Sequence, residues 1–514
     1  MSHPLSFALL KETVQDRLIT PEVRHLVKEL MAAYGGRLGS LLQVRSERRR
    51  ALSEGKVDRL QETANVRQGH WSVAPVPEHL MERRVELIGG ANRSELINGM
   101  NAGAKTYIAD LWSFTAQDTW SILRAHKSLN GAAARNLAYL DDREGRVRVN
   151  PGTPTRLAMA PRPLFVFEGA MEVDGDPAPA GFFDLVMTTI GQGPSIGVRQ
   201  GSMLLYLRDV QGHLEARLWA RSIEKMEDHL GVERGTIRCT VMLDTIAGAL
   251  EAEEILFELQ HHSAGLSLDP QGYAADHIAL FHGQERPVLP DRETIGLNAP
   301  FLRALSLYTI GICHRRGCHA MGAPSFVLPS LDTSKVKAEY LEMLADKERE
   351  AVDGHDGTLV VHEDMVNASM VEFNKSMPRT HQMGYQRNET ISPADLVSPP
   401  TGPITVDSLK SILRTALRTL MLREQGKGWV IQGGRVHDRS SLLLAIRLLW
   451  QWVHSPRGNI TATNLPVTID LVKFMLKKEA DKMFEVSDPV IKKQVDRATV
   501  YIVELVGSEE VPML

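Results

Sequence analysis

Residues 235–243 (GTIRCTVML) constrain the fold more than any other stretch, because they are largely apolar on both faces and run straight into Asp244. A strand with one wet face alternates polar and apolar positions. A strand covered on both sides reads as a nearly continuous apolar run, which is the pattern of a parallel sheet packed under helices. The amphipathic run that follows, through Ile246, Leu250, Ile255, Leu256 and Leu259, supplies such a covering helix. Short β-rich runs recur at 106–109, 203–207 and 358–361, several of them handing over to helical sequence. No Gly-rich dinucleotide fingerprint follows any of them, and GQGPSIG at 191–197 is too irregular to cradle a phosphate. The pattern therefore predicts an α/β chain built on a TIM (β/α)8 barrel over residues 101–375. In that architecture chemistry gathers at the C-terminal ends of the strands, so Asp244 is the first candidate.

The flanks differ in texture. Residues 1–100 are polar and helix-compatible and predict an N-terminal helical segment, with a basic run (Arg45, Arg48, Arg49, Arg50) that reads as a solvated helix face. Residues 376–405, rich in Pro, Ser, Thr and Gly, predict a linker. Beyond it, Leu409, Ile412, Leu413, Ala416, Leu417, Leu420 and Met421 form one helical stripe, and 440–454 is apolar almost all round. Residues 406–514 therefore predict a small C-terminal helical bundle, with Asp438 just ahead of its central helix, where a carboxylate serves as an N-cap.

Charge and cysteine usage exclude several classes. With 59 Lys+Arg against 63 Asp+Glu the net charge is −4, which gives no general attraction for nucleic acid or an anionic membrane surface. At 43% hydrophobic residues, cut repeatedly by charges, no stretch approaches the roughly 20 apolar residues of a membrane span. Residues 1–15 lack a basic start with a long apolar core, and three cysteines (Cys239, Cys313, Cys318) are too few for a disulfide framework. A cytoplasmic location is the expectation. Cys313, His314, Cys318 and His319 lack a second ligand pair at zinc-finger spacing, so packing and a free thiol explain them better than zinc.

Four motifs in order, GTIRCTVMLDT (235–245), CHRRGCHAMG (313–322), ADKERE with DGHDGT (345–358) and LWQWVH (449–454), closely resemble malate synthase of the shorter, A-type family. The similarity runs from RRVEL at 83–87 to the last helices. The resemblance implies that the N-terminal helical segment is a clasp and the C-terminal bundle a plug over the mouth of a TIM barrel, and that the substrates are small molecules, acetyl-CoA condensed with glyoxylate; another acyl thioester, on coenzyme A or a carrier, and a related 2-oxo acid are kept open for this chain. The malyl thioester so formed is then hydrolysed, and Mg²⁺ is the cofactor. A weakly acidic thioester α-proton needs a carboxylate base and a cation for the enolate oxygen. The resemblance puts the base on Asp438, the arginine on Arg162 and a coenzyme A contact on Pro329.

The same resemblance departs at the metal. The family's liganding glutamate falls on Asp244, one methylene shorter, and its liganding aspartate on Gly272 within DPQG (269–272), leaving Asp244 and waters to hold Mg²⁺. Two further acidic positions become Trp112 and Ser113 in ADLWSF (109–114), and a Leu-Pro-Lys strand end becomes LRD (207–209). The expectation is a Claisen-type acyltransferase with an altered metal site. Two alternatives remain: a metal-independent thioester hydrolase or lyase using Asp438 and Arg162, and a silent thioester-binding paralogue.

Overall fold

Eight parallel strands close on themselves in chain order: β1 (Val85–Gly89), β2 (Thr106–Asp110), β3 (Arg156–Ala160), β4 (Met203–Leu207), β5 (Ile237–Leu243), β6 (Ser263–Leu268), β7 (His319–Ser325) and β8 (Gly357–Val360). This computed structural model describes residues 17–143, 145–196, 201–284, 286–328, 334–484 and 488–514. β5 is buried along its whole length, as its unbroken apolar run requires, and so are β1, β2, β4 and β6. The expected TIM barrel is therefore present. It begins at residue 85, not 101: β1 lies inside the span assigned to the clasp. Four residues between Arg83–Arg84 and a glycine pair carry little β texture of their own, and it is pairing with β2 and β8, Glu86 with Thr106 and Leu87 with Val360, that makes them a strand.

Polar residues fill part of the barrel interior. Arg83 bonds Glu86 of β1, Tyr206 of β4 and Thr240 of β5. Because β1 is not a neighbour of β4 or β5 in the sheet, these bonds cross the inside of the barrel. All four residues are buried and each satisfies another, which makes such a network tolerable in a low-dielectric interior.

Helix α1 (Pro21–Ser53), capped by Thr20, runs beside the barrel. Its basic run is not a solvated face. Arg45 bonds Glu215 and Asp209, Arg49 bonds Asp276 at 2.7 Å, and Arg48 lies 3.8 Å from Glu251. The run is the means by which the clasp grips loops at the C-terminal side of the barrel, and of its four arginines only Arg50 stays exposed. Periodicity reveals a face but not its partner, and here the partners are 162 to 227 residues away.

Helix α2 (Pro270–Phe281) follows β6, and α3 (Ser334–Asp353) leads to β8. The stretch 376–405 is irregular apart from one short turn, Asp395–Val397, which is tied to α2 by Tyr273 Oη donating to the Leu396 carbonyl at 2.8 Å. Four helices then form the plug: α4 (Val406–Glu424), α5 (Arg439–His454), α6 (Ile469–Met483) and α7 (Pro489–Gly507). The apolar α5 is central to them, packing on α4 and α7 and, across the barrel mouth, on α2. A short hairpin, β9 (Val430–Gln432) and β10 (Arg435–His437), delivers the chain to Asp438. Among the described residues no helix is long and apolar enough to cross a membrane.

Candidate active site

Five charged residues meet at the C-terminal mouth of the barrel. Asp110 ends β2, while Arg208, Asp244 and Asp269 immediately follow β4, β5 and β6. Asp438 comes from the plug as the N-cap of α5, its Oδ1 accepting from the Ser441 backbone N–H at 2.9 Å. The helix cap and the candidate base are thus one residue, and the cap fixes its rotamer.

Arg208 is at the centre. Its Nη2 lies 2.9 Å from Asp110 Oδ2 and its Nη1 2.9 Å from Asp269 Oδ2. Burial works against its charge, but Asp110 and Asp269, with Asp244 and Asp438 also in range, outweigh that and hold the guanidinium's pKa above its ordinary value. The two carboxylates are themselves fixed by backbone donors. Asp110 Oδ1 accepts from the N–H groups of Trp112 and Ser113, both at 2.7 Å, and Asp269 Oδ1 accepts from those of Gln271 and Gly272 as the N-cap of α2. Ser440 also donates to Asp269 Oδ2 at 2.9 Å, which joins the plug to the barrel.

The remaining two carboxyls are unusually basic. Burial first, then the charge of Asp269, pushes Asp438 up to about 6, against the Ser441 bond and Arg208. Asp244 Oδ2 accepts from the Asp209 N–H at 2.9 Å, while its Oδ1 is buried without a partner among the described residues. Burial, together with the negative charges of Asp209 and Asp269, pushes the Asp244 carboxyl well above the usual carboxylate range. Asp209 itself sits at φ 54, in the left-handed region, and is held there by Arg45, which donates to both its carboxylate and its carbonyl oxygen at 2.8 Å.

Arg162, just past the end of β3, is buried, with Nε and Nη2 donating to Asp184 and Nη1 2.6 Å from Glu168. His126 is also 2.9 Å from Asp184, and this company holds the Asp184 carboxyl well below the usual range against its burial. Three of the five guanidinium N–H groups are so engaged, and two are left. No hydrogen bond or ion pair joins Arg162 to Asp438 among the described residues. The arginine whose charge acts on Asp438 is Arg208, which the strand-end sequence LRD signals only as a charged replacement.

Pro329 lies outside the described residues. Asp276, an alternative carboxylate in this region, is taken up by Arg49 and the Ile246 N–H. Cys313 and Cys318 are buried free thiols, Cys318 Sγ donating to the Cys313 carbonyl, while His314 bonds Asp356 and His319 the Met81 carbonyl. Two cavities are lined by chain neighbours of the cluster, though by none of its five charged residues. One, of about 820 Å³, is lined by Gln271, Arg292, Phe326, Val327, Arg435 and His437. The other, of about 890 Å³, is lined by Phe114, Trp120, Arg124, Arg418, Lys427 and Trp429.

Residues 156–399 match the family model described as the malate synthase TIM barrel domain. The malate synthase of Myxococcus xanthus is 31% identical over 469 residues, 91% of this chain and 86% of its own, and that of Streptomyces clavuligerus 32% over 493 residues, 92% and 89%. The chain belongs to the malate synthase family. Malate synthase A of Escherichia coli is 27% identical over 90% of this chain and 87% of its own length. Among solved structures, the pyruvate/acetyl-CoA ternary complex of Haloferax volcanii malate synthase aligns with 81% of this chain and 97% of its own, at 13% identity and a TM-score of 0.46. Membership gives the chain a malate synthase-like enzymatic function.

The residues at the mouth do not fit the Mg²⁺ that the family resemblance implies. A Cβ built on Gly272 would lie 3.1 Å from the Cβ of Asp244 and 3.2 Å from Asp269 Oδ2, so position 272 does face Asp244, but it brings no oxygen ligand. Asp110 and Asp269 are bonded to Arg208. The other two departures have new uses: the ring of Trp112 lies 3.7 Å from the guanidinium carbon of Arg439 at the start of α5, and the Ser113 carbonyl accepts from the Arg439 N–H. Among the described residues no three His, Cys, Asp or Glu side chains are grouped to hold an ion.

Proposed function

We propose that this chain is a malate synthase-like acyltransferase that joins the α-carbon of an acyl thioester, acetyl-CoA in the simplest case, to the carbonyl carbon of glyoxylate or a related 2-oxo acid, and then hydrolyses the thioester. The observation that carries this reading is Asp438, a buried carboxylate raised to about 6, held over the barrel mouth by a helix cap and facing a guanidinium. Its Oδ2 accepts no hydrogen bond among the described residues and is the atom assigned to the α-proton. At neutral pH it is ionised, yet it is a stronger base than an ordinary carboxylate.

Removal of the proton leaves an enolate whose oxygen Arg162 stabilises through the N–H groups that Asp184 and Glu168 do not use. The carbanion carbon attacks the acceptor carbonyl, one C–C bond forms, and the alkoxide takes up a proton. Water then cleaves the thioester, releasing free thiol and a hydroxy diacid. The thioester arm enters through the groove of about 820 Å³, whose residues Phe326 and Val327 lie just before Pro329. Substrates are small molecules or a carrier-bound acyl group, and three buried thiols suit a reducing cytoplasm.

The decisive assay follows thiol release and hydroxy acid formation by the full chain with acetyl-CoA and a panel of 2-oxo acids. Acceptor-dependent thiol release is the expected result. Thiol release without an acceptor would favour the second reading, a hydrolase or lyase that needs no metal, for which Arg208 among the carboxylates is the specific support. No release, and no exchange of the acyl α-protons with solvent, would overturn both.

A further inference from the structure

We infer that the guanidinium of Arg208 is the resident cation of this carboxylate cage, so that the chain takes up no divalent metal there and its turnover needs none. The claim about turnover rests on the acyltransferase reading above; the claim about the cage does not.

The carboxylates themselves carry the argument. A divalent ion at the mouth needs oxygen ligands converging from several strand ends, and hard cations such as Mg²⁺ accept little else. The acidic side chains at the strand ends here are Asp110, Asp244 and Asp269. Asp110 has one oxygen closed by two backbone N–H groups and the other paired with Arg208. Asp269 has one oxygen closed by the N-terminus of α2 and the other shared by Arg208 and Ser440. Asp244 Oδ1 is the strand-end carboxylate oxygen with neither a hydrogen bond nor an ion pair among the described residues, and the position facing it is Gly272. With Asp438 Oδ2 on the plug that makes two open oxygens beside a resident guanidinium, and among the described residues no three acidic side chains are grouped to hold an ion.

Nor can an entering ion displace the guanidinium cheaply. Arg208 is buried, and its chain neighbours are pinned on both sides: Leu207 pairs with Val241 in the barrel, and Asp209 is held by Arg45 and by Asp244. Moving it off Asp110 and Asp269 would leave a buried charge unpaired, which is the expensive way to break an ion pair. A tethered guanidinium supplies positive charge at the same place without having to be bound from solution. It also has donors to spare, since Nε and one N–H on each Nη carry no hydrogen bond to protein among the described residues. These are available to the carboxylate or the carbonyl oxygen of a 2-oxo acid, a role in which planar, paired donors suit planar oxygens.

The test measures Mn²⁺ uptake by electron paramagnetic resonance, with the full chain, and turnover before and after exhaustive treatment with chelator. The wild-type chain is expected to leave millimolar Mn²⁺ in its free aqueous form and to keep its turnover within twofold after chelation. Arg208→Gln, which frees both carboxylates while keeping much of the side-chain volume, is expected to bind Mn²⁺ saturably and to lose at least tenfold in turnover. Saturable Mn²⁺ binding by the wild-type chain that disappears in Asp244→Asn would overturn the inference, as would a tenfold or greater fall in turnover on chelation. A folded Arg208→Gln chain that still ignores Mn²⁺ would also overturn it. If that variant does not fold, the wild-type titration decides alone. A chain that binds no Mn²⁺ and turns over no substrate would remove the acyltransferase reading and leave the cage assignment in place.

Discussion

Asp438 is buried within reach of the negative charge of Asp269, and burial first, then that charge, raises the affinity of Asp438 for a proton, up to about 6. Asp438 must be ionised to accept a proton, so the rate falls as pH falls through about 6. Replacing Asp269 by Asn removes the like charge, and the acid limb of the kcat profile is expected to move to lower pH. Rate profiles of the two proteins between pH 4.5 and 8 check this, and an unshifted limb would place the titrating group elsewhere.

Replacing Asp438 by Asn should lower turnover about 10³-fold, the usual scale for loss of a general base, while changing thioester affinity little. Asparagine is as good an N-cap as aspartate, so the helix and the melting temperature should hold. Exchange of acyl α-protons with deuterated solvent, followed by NMR, isolates the step concerned. Exchange at the wild-type rate would take Asp438 out of the mechanism.

Arg45 binds Asp209 and Glu215 from a helix that is far away in sequence. Arg45→Ala leaves two carboxylates without their cation and is expected to cost about 3 kcal/mol of stability. Because Asp209 also donates to Asp244, turnover should drop as well. Urea unfolding with parallel rate measurements tests both effects, and a lowered unfolding midpoint with unchanged turnover would show that the grip does not reach the site.

Trp112 under Arg439 secures the first turn of α5 to the loop after β2. Its replacement by Ala should weaken that attachment by about 1 kcal/mol. Hydrogen exchange at 439–445 should speed up while the barrel strands stay protected. Equal acceleration in strands and plug would mean that the two unfold as one unit.

How much of this was legible beforehand differs from residue to residue. The barrel could be read because β5 is long and covered on both faces, and Asp438 because a helix announces its own start. Asp244 could be placed at a strand end for the same reason. β1 could not, since its identity as a strand lies in its neighbours. The basic run on α1 looked like a wet surface because a sequence shows which face is charged but not what that face meets. Arg208 is the sharpest case: LRD showed that a motif had changed, yet one of its partners stands 61 residues away and another on a different strand, so its place among the carboxylates needed the closed barrel.

The altered positions at the mouth also bear on how such a site can change. Trp112 and Arg208 follow two different barrel strands and Gly272 lies in the first turn of α2, and the first two now hold something else in place. Removing Arg208 alone exposes paired aspartates to each other, and adding an acid at 272 alone crowds two existing ones. A single exchange at any of these positions therefore disturbs a contact that its neighbours now depend on.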